Sequence, residues 1–307
     1  MIPYGRQSID GENSRLVLGT AQLSMPYGIR NVSVKPDGKV ARRIVQAAWD
    51  SGINEFDTGQ AYGNSEEILG LVFKRLGISK IAKVISKPHP QLDHLNPGVM
   101  LQALEETLAR LGQDNLFCYM LHREDFLDLW EYGLGEIFEG FISKALVETI
   151  GISVYSPARA LQALRTPNIT IIQLPTNILD RRFEQAGVFK LAEELDKTIY
   201  IRSIFLKGLI LMDSQKLPKK LEFASAVLND LNLFSKNCHI SKKALALGYL
   251  KATKPHARII FGAKTPQQVL ENCAVWGQTV RTDTFQDLKR IFSSVDKKIL
   301  SPNSWEL

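Results

Sequence analysis

The chain of 307 residues carries a net charge of +6, from 38 Lys and Arg against 32 Asp and Glu, and is 45% apolar and 23% charged. This is ordinary globular composition, and the basic residues are scattered rather than gathered into the stripe that a nucleic-acid surface needs. No apolar run approaches the roughly 18 residues of a membrane span, and the first residues lack an apolar targeting core. Three separated cysteines, Cys118, Cys238 and Cys273, form no Cys-x-x-Cys motif and no metal-ligand cluster; Cys118, in an apolar run, reads as a small buried hydrophobe. The expected compartment is a reducing cytoplasm, with no membrane, nucleic-acid or metal partner.

Strand-like and helix-like segments alternate along the chain. A short apolar run at Leu16 to Gly19 is followed by helical periodicity over Lys39 to Ser51, with Val40, Ile44, Ala47 and Ala48 on one stripe. Then come a strand at Ile53 to Phe56 with a helix at Glu66 to Leu76, and a strand at Ala82 to Ser86 with a helix at Pro97 to Leu111, where Pro97 suits the first turn. Phe117 to Leu121 reads as a strand before a largely helical Phe126 to Ala145, and Glu148 to Ser153 as a strand before a helix opened by Pro157. Strands at Thr170 to Leu174 and Thr198 to Ile201 flank a helix at Phe183 to Leu195. Helices near Leu221 to Leu231 and Ser241 to Leu250 precede the last strand, Arg258 to Phe261, its helix at Pro266 to Cys273, and a terminal helix over Thr282 to Ser294.

Eight short strands, nearly continuous in apolar residues, predict a parallel sheet covered on both faces by helices. Within one chain of this length they favour an α/β fold of the closed (β/α)8 TIM-barrel type. An open doubly wound sheet is the alternative, and its Gly-x-Gly-x-x-Gly turn is absent. One domain is expected over residues 1–307, with Ile2 to Ser14, around Asp10-Gly11, forming an N-terminal hairpin at the barrel bottom.

In such a barrel, the C-terminal ends of the strands carry the chemistry. Asp57 and Tyr62 follow the second strand, Lys87 ends the third and His122 ends the fourth. Taken singly, each has a plain structural use: Asp57 as a turn former or cap, Tyr62 as packing, Lys87 as a solvated charge before Pro88, His122 as a satisfied histidine. Delivered to one mouth, they form a proton-transfer set. A free phenol titrates near ~10; the Lys87 ammonium is expected to lower Tyr62, and Asp57 to orient Lys87 by an ion pair. His122 can hold a carbonyl oxygen beside the phenol, so that an acid faces an oxygen that gains negative charge. The hydride for such a carbonyl has no side-chain source, so a cofactor is required.

The ordered segments Leu18-Gly19-Thr20, Asp57 to Glu66, Ser86-Lys87-Pro88, Leu121-His122, Ile150-Gly151-Ile152-Ser153, Gln173 with Asn177, and Gly262-Ala263-Lys264 ahead of Glu271-Asn272 resemble the aldo-keto reductase superfamily from Leu16 to Asn272. The resemblance implies an oxidoreductase that reduces an aldehyde or ketone, with Asp57, Tyr62, Lys87 and His122 as the catalytic set and Tyr62 as general acid. It also implies NADPH, with NADH as the alternative, extended across the mouth. Ser153 and Gln173 would hold the nicotinamide carboxamide and Arg202 would stack on its ring, Gly19, Thr20 and Asp57 would also contact the cofactor, and Ser203, Leu206 and Gly208 would line the pyrophosphate. Gly262, Lys264, Gln268, Glu271 and Asn272 would lie at the adenosine end. The chain departs from the pattern at Val154, where Asn is frequent, at Arg202, where an aromatic often stacks on the nicotinamide, and in offering Lys264 alone where two basic side chains are usual.

For the substrate, Tyr27, Tyr62, His122 and Arg123 are expected at the pocket, bordered by Ser24 to Ile29 and by Asp180-Arg181-Arg182. Their polarity points to a polar, sugar-like or anionic small-molecule carbonyl. Two readings stay open beside the reductase. One is an NADPH-binding redox-sensing regulatory protein with little turnover. The other is a barrel isomerase or lyase using Lys87 as a Schiff base. The oligomeric state is not legible in the sequence.

Overall fold

Eight parallel strands close on one another in a computed structural model, which describes residues 15–25, 28–29 and 36–305. They are β1 (Leu16–Gly19), β2 (Glu55–Asp57), β3 (Lys83–Ser86), β4 (Leu116–Leu121), β5 (Val147–Ser153), β6 (Ile169–Pro175), β7 (Thr198–Arg202) and β8 (Arg258–Gly262). Neighbours pair in sequence order, and β8 returns to β1 with Leu18 opposite Phe261 and Gly19 opposite Gly262. That last pairing makes a barrel and rules out the open sheet. Each strand lies within two residues of its predicted place. The predicted N-terminal hairpin lies outside the described residues.

The period-2 alternation of the strands sorts side chains into two cores. Leu16, Leu18, Phe56, Val84 and Ile172 face outward and pack with the helices in one large cluster. Val17, Ile85, Cys118, Met120, Ile171, Tyr200 and Ile260 form a separate cluster that fills the lumen. Cys118 is fully buried there, as its apolar run predicted. Burial of each large aliphatic side chain contributes about 1.5–3 kcal/mol. Lower in the lumen, buried Glu55 accepts a hydrogen bond from the Tyr200 hydroxyl at 2.8 Å and faces Arg258 Nε at 3.6 Å. Among the described residues, side chains fill the lumen, and the large cavity opens at the C-terminal ends of the strands.

Helix starts follow local chemistry. Asn96, Ser156 and Thr265 each precede a proline and cap the helix that follows; Asn96 Oδ1 accepts from Gly98 N at 3.0 Å and Val99 N at 3.2 Å. Two predicted helices are broken. The stretch after β4 is a 3-10 segment, Glu124–Tyr132, and then a helix, Leu134–Ser143, separated by Gly133 at φ +108°. The helix predicted over Phe183 to Leu195 divides at Gly187, φ +75°, into Arg182–Gln185 and Val188–Glu194. In both places a glycine takes up a left-handed backbone that the apolar periodicity does not register. The terminal helix is present as Thr282–Ile291. Among the described residues, no helix is long and apolar enough to cross a membrane.

Candidate active site

The loop after β2 is held from both sides. Thr58 N donates to Ile85 O at 2.8 Å and Gln60 N to Lys87 O at 3.0 Å, which ties it to the end of β3. Gly59 permits that approach, since a Cβ there would lie 3.2 Å from Lys87 Cβ. The Tyr62 carbonyl accepts from Ser65 Oγ at 2.9 Å and from Ser24 Oγ. Beneath, buried Glu66 accepts from Ser86 Oγ at 2.6 Å, Thr107 Oγ1 at 3.1 Å and Arg110 Nε at 2.7 Å. Glu66 therefore locks the helix Ser65–Leu76 to its neighbour Pro97–Leu111 and to β3, and fixes where Tyr62 stands.

At the mouth, Asp57 Oδ1 accepts from Lys87 Nζ at 2.5 Å and from Gln173 Nε2 at 2.7 Å. Lys87 is fully buried and also donates to Thr58 O at 3.0 Å. Its ammonium lies 5.3 Å from the centroid of the Tyr62 ring, and that ring meets His122 edge-on at 5.7 Å and 85°. The four sequence-predicted residues thus come together. Burial lowers the Lys87 pKa, but Asp57 and then Tyr62 raise it further, so the amine stays charged. For Tyr62 the sequence expectation is reversed. Desolvation raises its pKa, and the lowering by Lys87 does not overcome it. The phenol is consequently a protonated acid at neutral pH. Burial first, then Lys87 and Arg202, push His122 down to about 3, so its imidazole is neutral; its buried Nδ1 has no hydrogen-bond partner among the described residues.

These groups open into a cavity of about 1170 Å³ that crosses the barrel mouth. Asp57, Ser153, Gln173 and Arg202 line it, and Gly19 lies beside Gly262 across the β1–β8 pairing. Ser203, Gly208, Lys264, Gln268, Glu271 and Asn272 also belong to its wall. Two predicted cofactor residues stand behind the wall. Thr20 is buried and donates its hydroxyl to Asp57 O at 3.0 Å, and Leu206 is buried at a left-handed φ of +46°. Of the predicted substrate residues, Tyr62 and His122 line the cavity. Arg123 does not. It is exposed, lies over the Phe126 ring and donates Nε to Asp125 Oδ1 at 2.9 Å. Tyr27 lies outside the described residues. Arg181 turns inward over the Tyr249 ring at 4.7 Å, whereas Arg182 reaches the cavity already paired with Asp180 at 2.7 Å.

Several wall residues escaped the sequence reading. Tyr155, just beyond Ser153, supports the Arg202 guanidinium at 4.2 Å; the strand-end rule could have found it. Lys243, from the helix Lys242–Thr253, reaches the cavity and pairs with Glu271 at 2.6 Å. Residues 300–304 close one rim, where Lys207 Nζ donates to Pro302 O at 3.3 Å. Neither of these last features carries a local signal, because each depends on long-range packing. A smaller cavity of about 370 Å³ lies behind Gln60 and Glu66, away from Asp57, Tyr62 and His122. Among the described residues, no group of three or more His, Cys, Asp or Glu could hold a metal ion.

The sequence profile of the Aldo/keto reductase family matches residues 15–292. The aldo-keto reductase YhdN of Bacillus subtilis (strain 168) is 27% identical over 300 residues, 87% of this chain and 87% of that protein. Among solved structures, the glycerol dehydrogenase of Gluconobacter oxydans superposes with a TM-score of 0.74 at 21% identity, over 96% of this chain and 97% of that one. An aldo/keto reductase of Klebsiella pneumoniae in complex with NADP and acetate gives 0.69 at 18% identity, over 92% of each chain. At such identities the structural likenesses speak for the fold.

Proposed function

We propose that this chain, which belongs to the aldo/keto reductase family of NAD(P)H-dependent carbonyl reductases, uses NADPH and delivers the proton from Tyr62 to a small polar carbonyl compound. The observation that carries this reading is the buried node in which Asp57 Oδ1 holds both Lys87 and Gln173, directly beneath the Tyr62 and His122 rings.

The walls fit a nicotinamide dinucleotide. Ser153 and Gln173 would hold the carboxamide; the Nε2 bond to Asp57 leaves the Gln173 carbonyl oxygen to accept. Ser203, Lys207 and Gly208 adopt φ of +60°, +53° and +99°; the Gly208 N–H closes the turn on Phe205 O at 2.8 Å, and the turn would carry the pyrophosphate along its cavity side. Lys264 with Lys243 would face the 2′-phosphate, with Glu271 and Asn272 near the adenine. NADP is the ligand named for the Klebsiella pneumoniae neighbour, which supports NADPH here. The bound nicotinamide supplies the hydride. The protein's own part is to place the carbonyl oxygen between two donors. Neutral His122 hydrogen-bonds and orients that oxygen, and the Tyr62 hydroxyl protonates it as charge develops. Charged Lys87 then stabilises the phenolate left behind, and Asp57 keeps Lys87 in place.

The test is to mix the protein with NADPH and 4-nitrobenzaldehyde and follow loss of nicotinamide absorbance, with NADPH affinity measured separately. Tyr62→Phe is expected to lower kcat by about 10²–10⁴-fold, the range of a lost general acid, while NADPH still binds. Tight NADPH binding without turnover in the wild type would favour a redox-sensing role. Absence of nicotinamide binding would sink both readings.

A further inference from the structure

The cations around the cavity are not equivalent. Arg182 is neutralised by Asp180, with Nε at 3.0 Å and Nη2 at 2.7 Å from its carboxylate. Lys243 is paired with Glu271, and Lys207 donates to a backbone carbonyl. Arg202 is different. It ends β7 half-buried, at the same end of the cavity as Tyr62, His122 and Ser153. Its guanidinium lies on the Tyr155 ring and donates to Val154 O at 3.2 Å and, at the limit, to Ser203 Oγ at 3.5 Å. Among the described residues no carboxylate pairs with it. The acid in the same part of the cavity, Asp57, is engaged by Lys87 and Gln173.

A half-desolvated guanidinium without a counter-ion is costly unless a ligand supplies the negative charge. The Tyr155 ring and the bond to Val154 O restrain the guanidinium, and each terminal nitrogen keeps a second N–H, so the group can still offer the two-pronged donor that carboxylate and phosphate accept. On the reading above, the cofactor's own phosphates would meet the loop at 203–208 and Lys264 with Lys243. An oxidised nicotinamide is itself cationic, so it does not relieve the charge on Arg202 either.

We propose that the carbonyl substrate bears a carboxylate or phosphate, and that Arg202, braced by Tyr155, binds this group and sets the selectivity of the site. This rests on the reductase reading. It moves the anion-binding role expected of Arg123 to Arg202, since Arg123 is exposed, paired with Asp125 and absent from the cavity wall, and it gives Arg202 to the substrate in place of the nicotinamide contact expected of it.

Two matched aldehyde pairs test it with NADPH: 4-carboxybenzaldehyde against 4-nitrobenzaldehyde, and glyceraldehyde 3-phosphate against glyceraldehyde. The pairs separate a carboxylate from a phosphate source. In the wild type, kcat/KM is expected to favour the anionic member of at least one pair by about tenfold or more, as for a charge-assisted hydrogen bond. Arg202→Gln should collapse that ratio toward one, whatever it does to both members together, and Tyr155→Leu should lower it by loosening the fork. Rescue of the ratio by Arg202→Lys to an intermediate value would further support a charge role. Two results overturn the proposal while leaving the reductase reading intact. One is reduction of the neutral aldehydes with no preference for either anion. The other is an unchanged ratio in Arg202→Gln alongside a raised KM for NADPH, which would assign Arg202 to the cofactor. If none of the four aldehydes is reduced, both readings fall.

Discussion

His122 sits among cations and partly out of water, and the consequence reaches beyond the reaction. Its folded pKa of about 3 lies well below the ordinary 6.5 because burial, Lys87 and Arg202 all disfavour the imidazolium. The unfolded chain therefore binds a proton at mild acid pH that the folded chain does not. The contribution is complete above pH 6.5, and stability falls as pH drops from there toward 3. At pH 5 the loss from this residue is about 2 kcal/mol. His122→Gln keeps a neutral hydrogen-bond donor and removes the titration. Its Tm should fall less than that of the wild type between pH 7.5 and 5.0, by roughly 4 °C for a chain of this size. Equal losses in both proteins would mean that His122 is protonated in the fold, and the neutral-donor role would fail with it. Over the same pH range, the rate should show no titration near 6.5 from this residue.

The short helix Arg182–Gln185 does more at the element scale than its length implies. Glu184 receives Lys289 Nζ at 2.6 Å, Lys254 Nζ at 3.1 Å and the Tyr249 hydroxyl at 3.2 Å, joining the terminal helix Thr282–Ile291 and the helix Lys242–Thr253 to the segment after β6. Burial raises the Glu184 pKa, but the hydrogen bond from Lys289 and the charge of Lys254 outweigh it and bring the carboxyl to about 2. The pair is not uniformly favourable, because burial leaves the pKa of Lys254 lowered despite Glu184. Net of the cost of burying Lys254, these contacts contribute about 2 kcal/mol. The carboxyl pKa is depressed, so this stability is present above about pH 4.5 and is lost as pH falls toward 2. Glu184→Gln should lower the urea midpoint at neutral pH, and the gap to wild type should shrink by more than half by pH 3. A gap independent of pH would assign the effect to packing rather than charge.

At the scale of the whole molecule, the features readable in advance were those encoded within a few residues. Apolar runs ending in Asp57, Lys87 and His122, and cap-proline pairs such as Asn96-Pro97, placed the barrel and brought that set to one rim. The reach of Lys243 from a neighbouring helix, the inward turn of Arg181 and the outward turn of Arg123 depend on how finished elements pack, which no local pattern records. The same packing concentrates charge. The chain is only +6 overall, yet Arg202, Lys207, Lys243 and Lys264 share one cavity with few acids. A concavity focuses such a field, and salt screens it: the Debye length falls from about 30 Å at 0.01 M to about 10 Å at 0.1 M. NADPH exceeds NADH by the 2′-phosphate alone, so its KM should rise more steeply over that range, and the preference for NADPH should fall as salt is added. Lys243→Met removes one of the two lysines proposed to face the 2′-phosphate. It should reduce the NADPH preference at low salt and flatten its salt dependence, with a smaller effect on the KM for NADH. A preference that ignores both salt and Lys243 would show that the 2′-phosphate is held elsewhere, and the assignment of the adenosine end to Lys264 and Lys243 would have to be abandoned.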